Sequence, residues 1–120
     1  MINPNELIHE LKQFTGTERF YKNPIYPLFV YTDGIKYLAD RVGAYWLIDY
    51  IFSNQHDTKI KTEPFQVWKI SVAENNQAAI RVEDGNKNLV RQFNIEFTDF
   101  PLQEFELWFT DRTLLLPSEY

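Results

Sequence analysis

The sequence predicts an α+β fold, with about three N-terminal helices packed on one face of a five-stranded antiparallel meander. Three observations carry that expectation. Apolar residues recur at spacings of three and four up to about residue 56, the signature of helices with one buried face. From residue 65 onward they alternate at period two, the signature of half-buried strands. Between the two regimes lies a polar stretch, residues 54–64, that ends in Pro64 and reads as a loop. The chain has 120 residues and a mass of 14.4 kDa, enough for one core and short for two. It is therefore read as a single domain, 1–120, with a helical half 1–56 and a sheet half 65–120.

The first helix has a clear start. Asn3 is a good N-cap, Pro4 suits the first helical position, and Glu6 stands at N3. Leu7, Ile8, Leu11 and Phe14 form its apolar stripe, and Gly16 is placed to end it. Pro24 and Pro27 mark residues 19–27 as an irregular crossing. Residues 28–31 read as a short strand, after which Thr32 or Asp33 caps a second helix bearing Ile35, Leu38, Ala39 and Val42. Gly43 stops or kinks that helix. Residues 44–54 are apolar almost all round and predict a buried central helix.

In the second half, Trp68, Ile70 and Val72 alternate with Val67, Lys69 and Ser71 in a first strand. A turn at 75–77 leads to a second strand through Ala78, Ile80 and Val82. Asp84-Gly85-Asn86 is a hairpin signal because such residues tolerate positive φ. Phe93, Ile95 and Phe97 mark a third strand. Residues 105–109 and 114–116 give two more around a turn at Asp111-Arg112.

Composition narrows the function classes. Ten Phe, seven Tyr and three Trp exceed what a small interior readily absorbs, so exposed rings and a partner, ligand or self-association face are expected. The net charge is −5, with Lys and Arg scattered, so direct nucleic-acid binding is not expected, and the acidic balance is compatible with basic protein partners, with cations or simply with solubility. With no cysteine, thiolate metal sites, disulfides and cysteine nucleophiles are excluded. Neither a signal peptide nor a membrane helix is expected, and a soluble cytoplasmic protein is.

Candidate chemistry centres on Thr-Asp, which occurs three times, each time after an aromatic residue: Tyr31-Thr32-Asp33, Phe97-Thr98-Asp99 and Phe109-Thr110-Asp111. Each copy closes an apolar run. If Asp33, Asp99 and Asp111 shared one sheet edge they could ligate a hard cation or support carboxylate chemistry. The competing reading is that each turns the chain or caps a helix, and it is the favoured one. Asp49, Ser53 and His56 have triad residue types on one helical face, but no nucleophile elbow accompanies them, so a solvated polar face is preferred. No phosphate-binding glycine loop is present. Tyr45 and Trp46 could floor a small-ligand pocket, with core packing the preferred reading. Trp108 alternates with Leu107 and Phe109, so one or the other faces outward, and an outward Trp108 would mark a partner or dimer surface.

The strings Tyr31-Thr32-Asp33-Gly34, Gly43-Ala44-Tyr45-Trp46-Leu47-Ile48-Asp49, Glu83-Asp84-Gly85-Asn86, Thr98-Asp99-Phe100-Pro101-Leu102 and Leu114-Leu115-Leu116-Pro117-Ser118-Glu119-Tyr120 together resemble a bacterial family catalogued as a domain of unknown function. The resemblance runs from about Phe14 to the last residue. It implies a small free-standing protein of bacteria and their mobile elements, and brings no catalytic residues with it. No cofactor is expected. The function expected is that of a non-enzymatic binding or interaction protein with an acidic, aromatic-rich surface, with a protein partner and a homodimer as candidate associations. The alternatives are a carboxylate- or metal-dependent enzyme at the three Asp residues and a small-ligand sensor at the ring-lined pocket.

Overall fold

The computed structural model describes residues 2–120. Helix α1 (Pro4–Leu11) begins where its cap requires, with the Asn3 side chain accepting from the Asn5 and Glu6 N–H groups at 2.9 and 3.2 Å. It ends at Leu11 rather than near Gly16. The last turn tightens through Gln13 N–H to Glu10 and Phe14 N–H to Leu11, which sets the Phe14 ring 5.3 Å from Tyr37. Strand β1 (Phe20–Lys22) lies inside the segment expected to be irregular, and pairs antiparallel with β2 (Val30–Thr32). Both prolines fall in the connection between the two strands, where they cost no ladder hydrogen bond.

Helix α2 (Asp33–Val42) is capped by Thr32, whose Oγ1 accepts from the Ile35 N–H, and ends at Gly43 in the left-handed region (φ +70°). Helix α3 (Tyr45–Ser53) follows, burying Leu47, Ile48, Ile51 and Phe52. Residues 54–64 are not a plain loop. A 3-10 turn (Asn54–His56) leads into α4 (Thr58–Lys61), which Asp57 caps through the Lys59 N–H, and Ile60 is fully buried. Four short helices thus replace the expected three.

The sheet has seven strands in the order β1-β2-β7-β6-β3-β4-β5, so it is mixed and is not a five-stranded meander. β3 (Phe65–Val72) and β4 (Ala78–Glu83) run as expected, and β5 (Leu89–Ile95) does so except that it stops short of Phe97, which belongs to the connection that follows. β6 (Glu104–Thr110) then returns to the other side of β3, with Ser71 opposite Glu104 and Phe65 opposite Thr110. β7 (Thr113–Leu115) pairs with β6 and lies parallel to β2, so the first half of the chain contributes to the sheet. The crossing has a physical reason. The connection 96–103 carries Phe100 and Leu102, both nearly fully buried, over the end of the sheet instead of leaving them at an edge.

Alternate residues Trp68, Ile70, Ile80, Val82, Leu107 and Phe109 form one core with the apolar stripes of the helices. A buried amide pair stitches the 3-10 turn after α3 to β3. Gln66 Oε1 accepts from Gln55 Nε2 (2.8 Å) and Trp68 Nε1 (2.9 Å), while Gln66 Nε2 donates to Gln55 Oε1 and the Ile60 carbonyl, both at 2.9 Å. Two turns place positive φ on unexpected residues. In the Asp84 hairpin it falls on Lys87 rather than on Gly85 or Asn86, because the Asp84 carboxylate gathers the Asn86 and Asn88 N–H groups. Between β6 and β7, Asp111 (φ +50°) and Arg112 (φ +58°) form a two-residue hairpin turn.

Candidate functional site

The three Thr-Asp carboxylates do not come together. Asp33 follows the last residue of β2, while Asp111 precedes β7, and these strands are parallel with Val30 opposite Thr113. Asp33 and Asp111 therefore stand at opposite ends of the sheet. Asp99 is tied to the β3–β4 turn by Thr98 N–H donating to the Asn76 carbonyl (2.8 Å). That places it at least three strand widths from Asp33, ~14 Å or more at ~4.8 Å per strand. Among the described residues no three His, Cys, Asp or Glu side chains form a group able to hold a metal ion.

Asp33 has a local task of its own. Its carboxylate accepts from the Glu18 N–H (2.9 Å), the Arg19 N–H (3.3 Å) and the Tyr21 hydroxyl (2.9 Å), and so pins the segment before β1 onto the start of α2. The Glu18 N–H, with help from the Tyr21 hydroxyl, holds the Asp33 carboxyl below its ordinary range. The Arg91 guanidinium does the same for Asp57, and the Asn88 side chain for Asp84. A carboxyl with a lowered folded pKa contributes stability above its unfolded value, which is lost as pH falls through the folded value. The urea midpoint should therefore decline as pH is lowered through about 4, the ordinary carboxylate value. Asp33→Asn should lower the neutral-pH midpoint and flatten that decline. A wild-type midpoint unchanged down to about pH 3 would contradict this assignment.

Tyr45 is 39% exposed and bridges two helices, its hydroxyl donating to Asp40 and accepting from Lys36 Nζ at 3.3 Å. Trp46 is half-buried against the core. Neither borders the cavities described below. Trp108 does face away from the core, since Leu107 and Phe109 are the buried pair. Its outward ring is covered by the chain itself: Phe65 and Tyr120 lie 5.1 and 5.5 Å away, and Nε1 donates to Glu106 Oε2 at 2.6 Å.

The largest concavity is a groove of about 1050 Å³ across the end of the sheet, between α1, the β3–β4 turn and the connection 96–103. Its apolar lining includes Ile8, Val72, Ala78, Ile95, Pro101 and Leu102. Glu96 and Glu104 are its charged lining residues, and no Lys or Arg lines it. A smaller hollow sharing Val72, Ala73, Pro101, Leu102 and Gln103 adds Glu74. Exposed Asp99 and Phe97 (67% exposed) flank the connection.

The Thr98-Asp99-Phe100-Pro101-Leu102 string builds this wall. Thr98 Oγ1 accepts from the Phe100 N–H, Phe100 and Leu102 are buried, and Gln103 accepts from the Val72 N–H at 2.8 Å. The opposite lip is held by Ala73 N–H to Gln77 (2.8 Å), with Asn76 at φ +64°. Of the cations nearby, Lys69 and Arg81 both pair with buried Glu83, at 3.0 and 3.4 Å, while Lys12 lines an adjoining cavity that shares Ile8, Ser71 and Glu104 with the groove. Among the described residues Glu74, Glu96, Asp99 and Glu104 form no ion pair. Sequence reading missed this cluster, although its signal is visible: no Lys or Arg occurs between Lys69 and Arg81 or between Arg91 and Arg112.

A second cavity, about 530 Å³, opens beside Leu28, which is 70% exposed. Phe29, Phe52 and Phe109 meet beneath it with ring centroids 5.3–5.9 Å apart, and His56, Lys61 and Arg112 stand on its rim with Glu63 and Asp111.

The model of a family of unknown function, DUF6876, matches residues 5–120. The chain belongs to this family. No curated protein and no solved structure matches it. In this chain Tyr31-Thr32-Asp33-Gly34 organises the start of α2, and Thr98-Asp99-Phe100-Pro101-Leu102 walls the groove. No helix among the described residues is long and apolar enough to cross a membrane.

Proposed function

We propose that this chain is a non-enzymatic binding protein whose sheet-end groove takes a basic, apolar segment of a protein partner. The observation that carries the reading is an apolar groove whose charged lining residues are Glu96 and Glu104, with Glu74 in the hollow beside it and no Lys or Arg in either lining. Apolar side chains of a partner would gain by leaving water for the Val72, Ile95 and Leu102 floor, while Lys or Arg beside them would meet unpaired carboxylates. An acidic segment would meet like charge at every rim position, so charge supplies the selectivity.

The test is fluorescence anisotropy with a short labelled peptide alternating Lys and Leu, against a control alternating Glu and Leu. The Lys peptide should bind, more weakly as salt rises, and the Glu peptide should not. Three exposed charge contacts at about 0.5–1 kcal/mol each predict that Glu74→Gln/Glu96→Gln/Glu104→Gln weakens binding roughly tenfold to a hundredfold. Equal binding of the two peptides, or an unaffected triple variant, would sink the proposal.

The ring-floored cavity supports a second reading, a small-ligand sensor. Its volume falls within the range of small-molecule sites, and its lining joins an aromatic floor to charged rim groups. The carboxylate-enzyme reading has no such support, since Asp33, Asp99 and Asp111 lie apart.

A further inference from the structure

We propose that two copies of the chain pair through their β5 edges, antiparallel about a two-fold axis at Phe93, to form one continuous sheet. β5 is a terminal strand, paired only with β4, and its regular run is Arg91–Ile95 because a bulge interrupts the register at Val82/Glu83. An open edge offers unpaired backbone donors and acceptors, and proteins normally blunt it with shortness, charge or proline. The other terminal strand, β1, has three residues and ends in Lys22. β5 is neither short nor proline-bearing, and its bulge lies outside the Arg91–Ile95 run. Its single charge, Arg91, is drawn to Asp57 at 3.0 Å.

The occupant is argued from complementarity. A two-fold at Phe93 sets Arg91 opposite Ile95 and Gln92 opposite Asn94, so no like charges face each other. Just beyond the two ends of this run stand Leu89 (47% exposed) and Phe97 (67% exposed), so a second copy on this edge lies alongside two of the large apolar side chains the single chain leaves in water. Inward and outward residues keep their faces in this register, so the cores continue on one side. Asn94 and Ile95 also line the groove, so the pairing is measured on the protein without peptide.

The test is the molar mass by light scattering after size exclusion at high micromolar concentration, with circular dichroism as the check on folding. The wild type should have about twice the 14.4 kDa chain mass. Gln92 and Asn94 are exposed, and Arg81 already donates to Gln92, so acids are tolerable there in the single chain. Gln92→Glu/Asn94→Glu puts Glu opposite Glu across the axis and should give a monomer. Gln92→Glu/Asn94→Lys puts Glu opposite Lys and should give a dimer again. A monomeric wild type would overturn the proposal, as would a double-Glu variant that remains dimeric or a Glu/Lys variant that stays monomeric.

Discussion

Gly34→Ala should destabilise the fold by about 3 kcal/mol, although alanine is the better helix former. Inside a helix the exchange ordinarily gains about 0.5–1 kcal/mol. At this position a Cβ would stand 2.6 Å from Leu116 Cδ1 and 2.7 Å from Glu119 Oε1, so the gain is overridden. Glu119 cannot simply move aside. Its carboxylate accepts from the Thr32 hydroxyl (2.6 Å), the Gly34 N–H (3.0 Å) and the Leu116 N–H (3.0 Å), and sits where the α2 dipole favours negative charge. Overpacking costs about 1–3 kcal/mol and a charge-assisted hydrogen bond is worth about 1.5–3, so a loss near 3 is the expected balance. Urea unfolding measures it. In a Glu119→Ala background the same exchange should cost less, because one of the two clashing groups is gone. Equal costs in both backgrounds would show that Glu119 is not what excludes the methyl.

Gln66→Leu should cost about 2 kcal/mol despite being larger in apolar area. Leucine would regain about 2 kcal/mol of transfer energy in a well-packed site. Against that, Trp68 Nε1 and Gln55 Oε1 would be left with no partner inside the protein, while Gln55 Nε2 keeps the Ile51 carbonyl and the Ile60 carbonyl keeps the Glu63 N–H. Each orphaned buried group costs about 1–3 kcal/mol, so desolvation wins. For a domain whose total stability is typically about 5–15 kcal/mol, the loss is readily seen as a lower urea midpoint by tryptophan fluorescence. Gln55→Leu/Gln66→Leu should cost less than the sum of the single changes, since the second removes groups the first had orphaned.

The sequence reads well where the physics is local. The Asn3 cap, the Thr32 cap, the left-handed Gly43 and the period-two strands each depend on residues within a few positions of one another. It reads poorly where partners are distant. Nothing in residues 28–32 announces a parallel neighbour at Leu114, and nothing in Glu119 announces Thr32 and Gly34 as its partners. The α4 turn was hidden by polarity, yet Asp57 before Thr58 with Ile60 two residues on is a legible cap and anchor. The groove was hidden because its wall and lip come from separate segments joined only by the 96–103 crossing. Two of the Thr-Asp copies stand at element boundaries, at the start of α2 and the end of β6, while Thr98-Asp99 lies within the 96–103 connection beside the groove.

The most direct measurement is a ¹⁵N–¹H titration of the protein with the alternating Lys/Leu peptide. The groove reading expects the largest amide shifts in residues 71–79 and 94–104, with little change around Phe29, Phe52 and Phe109. Shifts centred on that ring-floored cavity, or none at peptide saturation, would contradict it.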